Sequence, residues 1–111
     1  MGSFTKGEIV LFPFPYTDLS NRKLRPCLVI SQEMGEDIIL CQMTSQQTRK
    51  DNFTIEVTSK ETLNGSLSID SYIRSNMIFT ASTKQIEMKL CNLTNEKYNQ
   101  VIELIYQLIK K

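Results

Sequence analysis

The sequence predicts a mainly β domain, a compact antiparallel barrel closed by a C-terminal helix. Three observations predict it. Short runs of strand composition succeed one another from residue 7 to about residue 80, separated by polar breaks carrying Pro, Gly, Asn, Asp and Ser. Sustained helical periodicity is confined to the last segment. The 111 residues suffice for one domain, 1–111, with a single core burying roughly two-thirds of the unfolded surface.

Gly7 to Phe14 (GEIVLFPF) reads as the first strand, with Ile9, Val10, Leu11 and Phe12 apolar and Pro13 closing its regular pairing. Pro15 to Lys23 (PYTDLSNRK) is a turn-forming segment that joins two strands as a hairpin with a long loop. Loops of this length in compact domains are usually functional or disordered. The second strand runs from Arg25 to about Ser31. Pro26 limits where it begins and holds Arg25 extended at its entrance, where the guanidinium must face water or an anion. Glu33 to Glu36, with Gly35, turn the chain into a third strand, Asp37 to Met43, which ends at Thr44 and Ser45.

A polar loop follows to Asn52. Phe53 to Val57 alternates apolar and polar as a half-buried antiparallel strand does, and Ser59 to Gly65 is a polar break. Leu67 to Arg74 and Met77 to Thr80 are two more short strands or one interrupted strand. Thr83 to Leu90 fits a strand by its alternating Ile86, Met88 and Leu90, and a short additional helix by Lys84, Gln85 and Glu87. Thr94 then caps the C-terminal helix, Glu96 suits its first turn, and Leu93 and Tyr98 have the spacing of a hydrophobic staple. Tyr98, Val101, Ile102, Ile105, Leu108 and Ile109 form one apolar stripe, expected to pack on the domain's own sheet.

Composition narrows the chemistry. Thirteen Lys and Arg against twelve Asp and Glu give a formal charge of +1, so nucleic acid would have to be met by a local patch. The chain has no histidine, which excludes Ser-His and Cys-His pairs and histidine zinc sites. Cys27, Cys41 and Cys91 lack CxxC spacing and read as reduced core thiols. With no signal-like or membrane-length apolar stretch, a cytoplasmic protein is expected.

Three features together, GEIVLFPF, LRPCLVIS (24–31) after a polar loop, and a strand ending in Thr44-Ser45, resemble the MazF/PemK/Kid family of toxin endoribonucleases. PFPYTDLS (13–20) points to the PemK-like branch. The resemblance is most specific from Phe12 to Ser31 and looser beyond. It implies an SH3-like barrel with a C-terminal helix, a homodimer, a cognate antitoxin, and cleavage of single-stranded RNA with neither metal nor cofactor. The family's catalytic arginine falls on Arg25 and its hydroxyl residue on Thr44, with Ser45 beside it as an RNA contact.

Both assignments suit the chemistry: a guanidinium fork and a hydroxyl can stabilise the charge that builds on phosphate oxygens during 2′-hydroxyl attack. Arg22 and Lys23 extend the basic cluster, each either a phosphate contact or part of a solvated turn. Tyr16 is a candidate for stacking on an unpaired base, whereas Phe14 reads as a core aromatic. SYIRSN (71–76) resembles a stretch where some relatives carry an Arg and, two residues on, an Asp. Arg74 fits the first position, as an RNA contact or a surface strand residue. Asn76 stands at the second and cannot act as a base. The proton acceptor is left unassigned. The alternative function is a non-catalytic module on the same fold that binds a protein such as DNA gyrase or an antitoxin.

Overall fold

Apolar runs this short bury themselves only by sharing a sheet. In the computed structural model, which describes residues 4–15, 22–45, 51–67 and 71–110, they do so in seven antiparallel strands and one α-helix. The strands are β1 (Glu8–Pro15), β2 (Arg22–Val29), β3 (Asp37–Thr44), β4 (Thr54–Val57), β5 (Thr62–Leu63), β6 (Ser71–Ser82) and β7 (Met88–Leu93), and the helix is α1 (Asn95–Lys110). The sheet order β4-β6-β3-β2-β1-β7-β5 bends into a nearly closed barrel.

Two prolines depart from expectation. Pairing continues past Pro13 as far as Pro15↔Arg22, and β2 begins at Arg22 and runs through Pro26. The hydrogen bonding explains both. The Leu11 carbonyl accepts from the Glu87 N–H at 2.9 Å, so the polar groups of Leu11 face away from its partner Pro26. Leu11↔Pro26 and Pro13↔Leu24 therefore belong to the class of antiparallel pair that exchanges no hydrogen bond, and each proline's missing donor would point outward. On that outer side β7 pairs no further than Leu11, and β3 pairs with β2 only from Cys27.

The stretch expected as two strands or one interrupted strand is one twelve-residue strand, β6, with a bulge. Cys41 is paired with Ile78 and Met43 with Ile73, so residues 74–77 lie opposite Gln42 alone. Groups released from the ladder find other partners: the Ser75 N–H donates to the Phe53 carbonyl at 3.0 Å, and Cys41 Sγ donates to the Arg74 carbonyl at 3.1 Å. The ambiguous segment after Thr83 divides into a 3-10 turn, Thr83–Gln85, and β7. The polar break after Ser59 holds a second 3-10 turn, Ser59–Glu61, and the two-residue β5.

Two apolar clusters stabilise the sheet from its two faces. Under α1, Ile9, Leu28, Cys41, Met43, Val57 and Ile73 pack with Val101 and Ile105. Each fully buried aliphatic side chain there contributes about 1.5–3 kcal/mol. On the other face Val10, Phe12, Cys27, Val29, Ile38 and Leu40 form the second cluster. The helix starts as expected, with the Lys97 N–H donating to Thr94 Oγ1 at 3.3 Å and Leu93 and Tyr98 both in the cluster beneath. Its stripe is only partly covered, however: Leu108 and Ile109 are exposed, because the last turn packs on neither cluster.

All three cysteines are free and buried. Burial pushes Cys27 and Cys41 up to about 12, Cys27 with help from repulsion by Cys41, so both stay protonated at neutral pH. Among the described residues no helix is long and apolar enough to cross a membrane.

Candidate functional site

The site forms where two neighbouring strands part. β2 pairs with β3 from Val29↔Leu40 to Cys27↔Gln42 and no further. Beyond that point β3 keeps company with β6 alone, through Met43↔Ile73 and Thr44↔Tyr72. The stretch 22–26 of β2 and the end of β3 thus diverge, and a cavity of about 370 Å³ opens between them. One wall is Lys23, Leu24, Arg25 and Pro26; the facing wall is Met43, Thr44 and Ser45. Leu11 and Leu90 contribute apolar surface, and Ser66, Leu67 and Ser71 complete the lining.

Gly65 sets the position of that last part. Its φ is +133°, and a Cβ there would overlap the Leu90 carbonyl oxygen, so the loop before Ser66 can lie against β7 only with glycine at this position.

Four of the residues singled out from the sequence are therefore brought together: Arg25, Thr44, Lys23 and Ser45. Lys23 and Arg25 are exposed, and among the described residues neither forms an ion pair. Register places Arg25 across from Phe12 and Lys23 across from Phe14. Those rings meet each other and Phe79 edge to face, with centroids 5.3–5.7 Å apart. Phe14 thus serves as packing, as expected. Tyr16 and the side chain of Arg22 lie outside the described residues.

Arg74 does not line the cavity, but it stands on the adjoining strand. Thr44 is paired with Tyr72, and alternation along β6 turns Ser71, Ile73 and Ser75 into the buried side, leaving Tyr72 and Arg74 together on the face that Thr44 shares. Arg74 is also opposite Thr54 of β4, and Glu56 is opposite Tyr72. One polar face thereby extends over four adjacent strands, β2, β3, β6 and β4.

Tyr72, Thr54 and Glu56 escaped the sequence reading. The alternation in 53–57 shows which residues share a side, but only register shows that this side adjoins Thr44. Asp51 escaped it too. Desolvation pushes its carboxyl upward, but hydrogen bonds from the Phe53 N–H at 3.0 Å and Thr54 Oγ1 at 3.1 Å, with the Arg74 charge nearby, hold it below the ordinary carboxylate value. Among the described residues no group of three or more His, Cys, Asp or Glu is placed to hold a metal ion.

Chemically, the arrangement offers two cations and the hydroxyls of Thr44, Ser45, Ser66 and Ser71 around one cavity, and a third cation on the adjoining strand. It suits a ligand with several anionic oxygens spaced along a chain.

Comparison with known proteins bears on this site. The profile of a family described as PemK-like, MazF-like toxin of type II toxin-antitoxin system matches residues 5–109. No curated protein matches the chain significantly. Among solved structures, MazE-MazF from Deinococcus radiodurans superposes with a TM-score of 0.77 at 14% identity, over 96% of each chain. An endoribonuclease in complex with its cognate antitoxin, from a mycobacterial species, gives 0.74 at 13% identity over 97% of this chain and 96% of that one. Another structure of an endoribonuclease from a mycobacterial species gives 0.71 at 15% identity, covering 99% and 94%. At these identities the structural likeness establishes the fold.

Proposed function

Because the chain belongs to the PemK-like, MazF-like toxins of type II toxin-antitoxin systems, we propose that it is a sequence-specific endoribonuclease cutting single-stranded RNA without a metal ion, as a homodimer restrained by a cognate antitoxin. The observation that carries this reading is the convergence of Lys23, Arg25, Thr44 and Ser45 on one cavity. Structurally similar proteins described as endoribonucleases and as toxin-antitoxin complexes support it. The exposed Tyr106, Leu108 and Ile109 at the end of α1 offer apolar surface for a protein partner.

The chemistry follows from the groups present. The ribose 2′-oxygen attacks the adjacent phosphorus, its proton passes to an acceptor, and the bond to the next nucleotide's 5′-oxygen breaks as that oxygen gains a proton. The products are a 2′,3′-cyclic phosphate and a 5′-hydroxyl. Negative charge grows on the non-bridging oxygens at the midpoint. Arg25 supplies a fixed two-pronged donor for them, Thr44 a neutral donor, and Lys23 a point charge for a flanking phosphate. A guanidinium carries N–H donors and no acceptor, so Arg25 stabilises charge and does not serve as the base.

Incubation with RNA and with the same sequence in 2′-deoxy form, in excess EDTA, tests the reaction type. RNA fragments ending in a cyclic phosphate, with the deoxy strand intact, are expected. Cutting of the deoxy strand contradicts attack by the 2′-hydroxyl. Intact RNA would favour the second reading, a non-catalytic module that binds a protein such as DNA gyrase or an antitoxin. The specific observation on its side is the exposed amide of Asn76 on the bulge, where a carboxylate would otherwise assist.

A further inference from the structure

Arg74 has no acidic neighbour on its own strand, since Ser75, Asn76 and Met77 follow it. The fold brings one from elsewhere. The bulge at 74–77 frees the Ser75 N–H and hydroxyl, and both donate to the Phe53 carbonyl, fastening the start of β4 beside Arg74. Thr54, the next residue, is the cross-strand partner of Arg74. Its hydroxyl donates to Asp51 Oδ2 at 3.1 Å while the Phe53 N–H donates to Oδ1 at 3.0 Å. Both carboxylate oxygens are thus fixed by residues that are themselves pinned to the arginine's strand.

We propose that Asp51 is the positioning residue for Arg74: its carboxylate orients the guanidinium on the polar face shared with Thr44 and Tyr72, toward a phosphate of the bound strand. The inference rests on the reading of that face as an RNA site. Asp51 is better suited to hold a cation than to take the 2′-hydroxyl proton. Both its oxygens already accept hydrogen bonds, and those bonds and the Arg74 charge favour its ionised form despite desolvation. Glu56, opposite Tyr72 and exposed, is the carboxylate of β4 on this face.

The test compares kcat and KM for wild type, Asp51→Asn, Asp51→Glu, Arg74→Ala and the Asp51→Asn/Arg74→Ala double variant, on an RNA oligonucleotide carrying the mapped cut sequence. Asp51→Asn should lower kcat/KM about fivefold, the scale of a partly exposed pair of opposite charges. Asp51→Glu should restore most of it, and Asp51→Asn should cost less than about twofold once Arg74 is absent. An undiminished Asp51→Asn loss in the Arg74→Ala background overturns the proposal. So does wild-type cleavage by Arg74→Ala or Asp51→Asn, and in those cases the ribonuclease reading, carried by Arg25 and Thr44, stands.

If wild type leaves RNA intact, that reading is what fails, and NMR titration of the Asp51 carboxyl decides the pairing itself. A midpoint that rises in Arg74→Ala supports it, and an unmoved midpoint overturns it.

Discussion

In the proposed reaction Arg25 and Thr44 would divide one task between a charge and a dipole. The arginine is exposed on a strand whose opposite residue, Phe12, is locked in an aromatic cluster. Thr44 is half-buried at the last position of β3, where register with Tyr72 fixes it. Thr44→Val keeps the branched shape and removes the hydroxyl. It should reduce kcat about a hundredfold with KM little changed, the signature of a contact made chiefly in the transition state. A proportional rise in KM at constant kcat would instead make Thr44 a ground-state contact. That Arg25 and Thr44 line one cavity was legible from short motifs because Thr44 ends β3 and the Arg25-Pro26 step marks where β2 parts from β3. Asp51 was not, since its relation to Arg74 runs through Ser75, Phe53 and Thr54 on two elements.

Among the elements, β1, β3 and α1 were legible because composition, turn residues and capping agree there. The course of β2 through Pro26 was not: a proline inside a strand is acceptable only when its outward side has no neighbour, and that depends on where β3 turns away. The unity of β6 was hidden for a related reason. RSNM (74–77) looks like a break, and the bulge that absorbs it is visible only against Gln42. The junction between the 3-10 turn Ser59–Glu61 and α1 makes a separate prediction. Glu61 accepts from the Thr58 N–H at 2.9 Å and pairs with Lys97 Nζ at 3.0 Å. Desolvation pushes its carboxyl up, but these partners win and hold it below its ordinary value. A depressed carboxyl stabilises the fold above its unfolded-state pKa, and that contribution is lost as pH falls through the folded value. Glu61→Gln should therefore cost about 1 kcal/mol at pH 7 and converge on wild type under acid, as read by urea unfolding at several pH values. A difference independent of pH would assign the effect to packing.

The molecule as a whole uses one sheet for two purposes. Its inner side and α1 hold the core, while the polar face and the parting of β2 from β3 present cations at one end. With a formal charge of +1, attraction for RNA would have to be local, and the proposed cleavage would depend on a few side chains, Arg25 first among them. The most direct measurement is primer-extension mapping of a long RNA treated with wild type and with Arg25→Ala in excess EDTA, after circular dichroism has shown both to be folded. Wild type should cut at one short recurring sequence, and Arg25→Ala should cut there about a thousandfold more slowly or not at all. Cuts by Arg25→Ala at the same positions and at the wild-type rate would contradict the account.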